Sequence, residues 1–218
     1  MSKTTAFDAL NEPLPQRIVV GLNKVGLALK LSSWRAAGQR GLTPLQGQIL
    51  AMLSGARAGL RPTALAERLA VTAPTISQSV AALSSKGLVE RRGDSDDGRV
   101  SLVCLTARGR TEARAASGWP DFLASAVEQL SEPEQEVFWK GLMKMVVTLQ
   151  QNEQLPTSEM CLTCRHFRPH LHREASLPHH CALVDAPMGH RHLRLECAEH
   201  EASESEARDA VVRTFLTH

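Results

Sequence analysis

Four of the five cysteines, Cys161, Cys164, Cys181 and Cys197, and all nine histidines of this 218-residue chain lie beyond residue 160. Thiolates and imidazoles are the usual protein ligands of zinc and iron, so the segregated set reads first as a metal centre. Its strongest element is Cys161-Leu162-Thr163-Cys164, where a two-residue gap lets both thiolates reach one metal from a tight turn. Two completions are open. With Cys181 and Cys197 the spacing becomes C-x2-C-x16-C-x15-C, an all-thiolate set that suits an iron–sulfur cluster, most naturally of the 4Fe-4S type. With Cys197 and His200, a C-x2-H knuckle faces the C-x2-C knuckle and makes a tetrahedral Zn2+ site, His180 or Cys181 standing in reserve. Without a metal, Cys161 and Cys164 would form a dithiol switch, their basic neighbours Arg165 and Arg168 favouring thiolate. Apolar residues are few in this segment, so ligand bonds are expected to supply its folding free energy.

The elements that such a centre would serve lie upstream, between Pro62 and Thr106. Pro62 suits a first helical residue, and Leu65, Ala66 and Leu69 give a short helix one apolar face. After a break at 70–72, Thr72 can cap a second helix whose Ile76, Val80 and Leu83 face a core and which Gly87 ends. The opposite face offers Thr75, Ser77, Gln78 and Ser79, short polar groups able to meet phosphates or base edges in a major groove. A strand over 88–91, a turn rich in Gly and Asp, and a returning strand over 100–105 make a charged hairpin. Arg91, Arg92 and Arg99 near its tip can enter a minor groove, with Asp94, Asp96 or Asp97 pairing an arginine to shape the tip. Lys86, at the end of the second helix, adds a further cation for the phosphate backbone.

The motifs Thr43-Pro44-Leu45-Gln46, Leu65-Ala66-Glu67-Arg68-Leu69, Lys86-Gly87-Leu88-Val89-Glu90-Arg91, Asp97-x-Arg99 and Leu105-Thr106-x-x-Gly109 occur in this order between residues 43 and 109. Together they resemble the MarR family of bacterial transcription regulators across roughly residues 14–150. The resemblance implies a winged helix-turn-helix dimer on a pseudo-palindromic double-stranded operator, released by a small-molecule effector or by oxidation. Gly98 stands where that family is often basic, and the tail after residue 155 is not covered. The four-cysteine spacing is similar, over those four residues, to that of high-potential iron–sulfur proteins.

Charge supports nucleic acid as partner. The net charge is only +2, yet residues 35–114 carry twelve Lys and Arg against six Asp and Glu, a local +6. Apolar residues at 43% can build a core, and with 4% aromatics and no Tyr it must be packed on Leu, Val and Ala. The sequence shows neither a secretory signal nor a membrane-length apolar run, so a cytoplasmic protein is expected, in which cysteines are reduced, metal-bound or redox-active. Neither a Gly-rich phosphate loop nor a nucleophile elbow occurs, so no enzyme is expected.

The expected fold is mainly α with a small β wing (α+β). A flexible N-terminus covers 1–13, and the winged helix-turn-helix with its long dimerisation helices covers 14–150. A linker over 151–160, a Cys/His-rich module over 161–200 and a C-terminal helix over 201–218 follow. In the first helix Ile18, Leu22, Val25 and Leu29 repeat as a packing seam. Thr43 with Gln46, and Ser131 with Glu134, are capping boxes. Val137, Leu142, Met145, Val146 and Leu149 should form the inward face of the helix opened by the second box, and Ala207, Val211 and Phe215 that of the last helix. Cys104 is expected as a small buried hydrophobe. The function expected is a dimeric repressor modulated by its metal centre through redox state, iron or nitric oxide. The alternative is a small-ligand-responsive regulator whose zinc module is structural or a protein-interaction surface.

Overall fold

The computed structural model describes residues 12–56, 58–93, 101–117 and 121–217, and the backbone divides into two compact units. The first takes in residues up to 66 and 71–124, the second residues 67–70 and 125–218. Residues 1–11, most of the expected N-terminal tail, lie outside the described residues, as does the hairpin tip with Asp97 and Arg99.

In the first unit, α1 (Leu14–Gln39) is followed by α2 (Pro44–Gly55), α3 (Pro62–Arg68), α4 (Ala73–Ser85), the hairpin β1 (Val89–Gly93) and β2 (Ser101–Leu105), and α5 (Ala107–Ser117). A further short helix, α6, spans Asp121–Val127. The Thr43 capping box forms as expected: Gln46 N donates to Thr43 Oγ1 at 3.2 Å and Thr43 N to Gln46 Oε1 at 3.3 Å. Helix α2 is the centre of this unit, its Ile49, Leu50 and Leu53 buried and its surface packed on α4, α5 and β2.

Two positions in this unit admit only glycine. At Gly59, φ is +88° and a Cβ would sit 2.6 Å from Val103 O, because Leu60 forms an antiparallel bridge with Val103 that adds a third short edge to the hairpin. At Gly109 a Cβ would come within 1.8 Å of Leu88 O, so only glycine lets α5 start against the end of the helix-turn-helix. Thr106 Oγ1 fixes the same junction, accepting from Gly109 N at 2.9 Å and reaching Gly87 O at 2.8 Å.

The second unit contains α7 (Glu132–Gln151), two 3-10 turns at Cys161–Thr163 and His190–His192, a three-stranded antiparallel sheet β3 (Phe167–Arg168), β4 (His179–Cys181) and β5 (Ala186–Met188), and α8 (Ser205–Thr217). Ser131 caps α7: its N–H and hydroxyl both donate to Glu134 Oε2, at 2.8 and 2.6 Å, which holds that carboxyl below its usual range. The core is shared between helices and tail, with Met143, Val147, Met160, Leu162, Phe167, Leu193, Val212 and Phe215 in one cluster.

That cluster corrects three expectations. The boundaries at 150, 160 and 200 cut through one core, so the Cys/His segment does not stand as a separate module. The inward face of α7 is set by Met143 and Val147, with Val146 packed against the cluster as expected, whereas Val137 is 73% and Met145 39% exposed, because the tail covers the other side of the helix. In α8 Phe215 is buried and Val211 packs against the cluster as expected, but Val212 is the second buried residue and Ala207 is exposed. Among the described residues no helix is long and apolar enough to cross a membrane.

Candidate nucleic-acid interface and thiol cavity

Helix α4 divides its residues as the sequence suggested. Ile76, Val80 and Leu83 are 0–1% exposed, while Ser77 and Gln78 face solvent and Thr75 and Ser79 are half-buried. Thr72 caps the helix: its Oγ1 accepts from Thr75 N at 3.5 Å and lies 2.8 Å from Thr75 Oγ1. The two threonines therefore shape the helix entrance, and Ser77 and Gln78 project from the first turn and a half behind it. In a helix-turn-helix those N-terminal turns are the part that meets base edges.

The hairpin pairs Val89 with Leu105 through Gly93 with Ser101, and its exposed end carries Arg91 and Arg92. Arg92 is partly committed, its guanidinium donating through Nε to Glu90 Oε1 at 2.9 Å and pairing through Nη2 with the same oxygen. The partner that shapes this stretch of the wing is thus a glutamate in the strand, two residues away on the same face. Arg91 is exposed on the strand's other face.

Lys86 is engaged within its own unit. Its Nζ donates to Gly41 O at 2.6 Å and to Gln46 Oε1 at 2.9 Å. Gln46 is itself 6% exposed and part of the Thr43 capping box, so the ammonium closes the buried start of α2. Sequence placed Lys86 near the recognition helix correctly. Only tertiary packing showed that its charge is spent on the 41–46 turn.

In the second unit the four cysteines Cys161, Cys164, Cys181 and Cys197 line one cavity of about 460 Å³ whose apolar walls include Phe167, Leu183, Val184 and Met188. Backbone hydrogen bonds place them. Cys161 N donates to Arg194 O at 3.0 Å, Cys164 N to Cys161 O at 3.0 Å, and Cys197 N to Glu159 O at 2.9 Å. Cys181 ends β4, paired with Phe167 on one side and Ala186 on the other. All are free thiols. Two donors point at them: Arg194 N lies 3.3 Å from Cys161 Sγ, and Arg194 Nη1 3.9 Å from Cys197 Sγ. Burial pushes the Cys161 thiol up, and the nearby Cys197, Cys164 and Cys181 push the same way.

The reserve ligands are elsewhere. His180 places Nδ1 3.2 Å from His172 Nε2 and Nε2 3.2 Å from Asp185 Oδ1, and His200 Nε2 is 2.9 Å from Thr163 Oγ1; neither lines the cavity. The basic neighbours invoked for a dithiol switch also turn away. Arg165 pairs with Glu201 at 3.1 Å and Arg168 Nη1 donates to the Arg165 and Phe167 carbonyls, so neither cation favours thiolate at Cys161.

Sequence reasoning missed a buried histidine group beneath this sheet. His179 is fully buried, its ring centroid 4.8 Å from those of His170 and His190 and 5.6 Å from Phe215. Burial, then the charges of its histidine neighbours, push it down to about 3, so it is neutral at physiological pH. Alternation in the sequence could not signal it, because its packing partner Phe215 is far away along the chain.

Residues 40–100 match the MarR family model. The transcriptional regulator HosA of Escherichia coli is 34% identical over 91 residues, which is 41% of this chain and 67% of that protein. The chain belongs to the MarR family. It is a DNA-binding transcriptional regulator and not an enzyme. Staphylococcus aureus MepR, solved in complex with DNA, is similar at 28% identity over 60% of this chain and 97% of its own, with a TM-score of 0.53. Streptococcus pneumoniae FabT, also solved with DNA, is similar at 25% identity over 62% of this chain and 97% of its own, with a TM-score of 0.56. These likenesses take in about three fifths of this MarR-family chain.

Proposed function

We propose that this MarR-family protein is a homodimeric repressor of transcription that places α4 in the major groove of each half of a pseudo-palindromic operator. The observation that carries this reading is the division of α4, fully buried at Ile76, Val80 and Leu83 and exposed in short polar side chains at Ser77 and Gln78. Arg91 and the Glu90-braced Arg92 lead the wing toward the adjacent minor groove. The dimer reading is supported by α1, which buries only Ala37 within its own chain and exposes Ile18, Val25, Leu27, Leu31 and Trp34 along its length. Such an apolar stripe exceeds what a monomer ordinarily leaves in water.

In the same reading the thiol cavity holds a metal centre, an iron–sulfur cluster or zinc, whose loss or oxidation changes operator affinity as a coupling between two sites. The convergence of four free thiols on one cavity supports it. Footprinting with sedimentation analysis tests the first part: two protected half-sites about 10 base pairs apart and a dimeric mass are expected. Gln78→Ala should cost specific binding about 1–3 kcal/mol while leaving non-specific binding in place. Unaltered specificity in both Gln78→Ala and Ser77→Ala would remove α4 from the interface. Operator affinity that stays the same after metal removal would leave the centre a structural role.

A further inference from the structure

We propose that the second unit carries a binding site for a small zwitterion, a free amino acid or a short peptide, built by α7, the Cys161–Thr163 turn and α8. The site shares no lining residue with the thiol cavity and does not depend on what that cavity holds.

A second cavity, of about 490 Å³, opens between these elements and is large enough for a small ligand. Its lining includes the buried Val147 of α7, Thr163 of the turn and Val212 of α8. Cys161 and Cys164 open on the thiol cavity, whereas Thr163 between them opens on this one. Gln150 fixes one side. Its Nε2 donates to Pro156 O at 3.0 Å and to Ser158 Oγ at 2.8 Å, which ties the 156–158 segment to α7. Glu153, also in the lining, stands just past the end of α7 in the left-handed region with φ at +58°, where the chain turns back and Gln154 N reaches Leu149 O at 2.8 Å.

The charges in the lining are balanced and select the ligand. Arg208, Asp209 and Arg213 share one face of α8, and Glu153 joins them from the end of α7. Arg208 and Asp209 do not satisfy one another: Nε lies 3.9 Å from Oδ1, beyond hydrogen-bond reach, and the contact of Arg208 Nη2 with Ser205 Oγ is long at 3.4 Å. Both guanidinium groups therefore keep donors for a carboxylate, and Asp209 and Glu153 keep lone pairs for an ammonium. Gln150 Oε1, which has no hydrogen-bond partner among the described residues, is a further acceptor on that side. An anion alone would meet Asp209 and Glu153, and a cation alone would meet the arginines. A ligand carrying both charges answers both sets. Among the described residues no aromatic ring lines the cavity, so nothing there would stack on a flat heterocycle.

The test uses the full-length protein, with the common L-α-amino acids and glycyl dipeptides added one at a time and followed by scanning and titration calorimetry. A member of this panel should raise the melting temperature of the second unit by about 5 °C at about ten times its dissociation constant. Its N-acetyl form, which lacks the ammonium, and its methyl ester, which lacks the carboxylate, should each bind at least about tenfold more weakly. The tighter binder of amino acid and dipeptide identifies the source of the ligand. Arg213→Gln and Asp209→Asn should each weaken binding by about tenfold or more. The ligand-free variants should melt like the wild type, since Arg213 is exposed and Asp209 makes no close ion pair. A panel without a binder would overturn the proposal. So would an N-acetyl derivative that binds as tightly as its parent, which would make this a site for anions, or undiminished binding in either variant, which would put the ligand elsewhere.

Discussion

Replacing Lys86 with Met separates a structural lysine from a DNA-contacting one. The substitution keeps the aliphatic stem but deletes the ammonium that spans Gly41 O at 2.6 Å and Gln46 Oε1 at 2.9 Å. A hydrogen bond to a charged group contributes about 1.5–3 kcal/mol when well buried. Here the site is half-buried and water can replace part of the loss, so the pair together is reduced to about 1–2 kcal/mol. Gln46 Oε1 retains its bond from Thr43 N, which limits the damage to the 41–46 turn. The expected result is a fall of about 5 °C or more in the melting temperature of the first unit, since 1 kcal/mol corresponds to about 4–8 °C in a small domain. Operator affinity should show no change in its salt dependence. Arg91→Gln is the contrasting variant: stability should be unchanged, while the slope of log K against log salt should fall by about 0.9, one phosphate contact. Calorimetry and a salt titration of fluorescence anisotropy read the two quantities. Were Lys86→Met to melt like the wild type and lose one unit of salt slope, its ammonium would be on the DNA and the packing argument refuted.

The other expectations follow from single contacts. Gly109→Ala should unfold the first unit by circular dichroism despite alanine's better helix propensity, because the Cβ would stand 1.8 Å from Leu88 O; a native-like spectrum and melting temperature would contradict this. Phe215→Ala, at a fully buried position, should destabilise the second unit by about 3–5 kcal/mol in denaturant titration, and a loss under 1 kcal/mol would show the site collapses around the gap. A chain truncated after residue 155 should expose the Met143 and Val147 face of α7 and bind an apolar dye, and a monodisperse, dye-silent fragment would show that the tail is dispensable. Glu134 is held below its usual pKa by Ser131, so its contribution is complete above about pH 4.5 and is lost as pH falls through its folded value. Ser131→Ala should therefore make melting temperature less dependent on pH in that acidic range, and parallel profiles would contradict it.

What the sequence determined by itself is whatever is local. Thr43 with Gln46 and Ser131 with Glu134 announced helix starts, because a capping box closes within four residues and needs no distant partner. The period of Ile76, Val80 and Leu83 placed the buried side of α4, and with it the exposed Ser77 and Gln78. The gathering of cysteines beyond residue 160 marked the thiol site, since composition needs no geometry. Tertiary structure decided the rest, where more than one distant partner was available. Lys86 and Arg165 are cations that sequence assigned by proximity along the chain, yet they pair with Gly41 and Glu201, brought in by folding. Helix α7 carries apolar residues on two sides, and only the tail packing on Met143 and Val147 determines which side is buried. His180 and His200 have ligand spacing, but the orientation of a side chain follows from its hydrogen-bond partners, and theirs point away from the thiols because Asp185 and Thr163 hold them there.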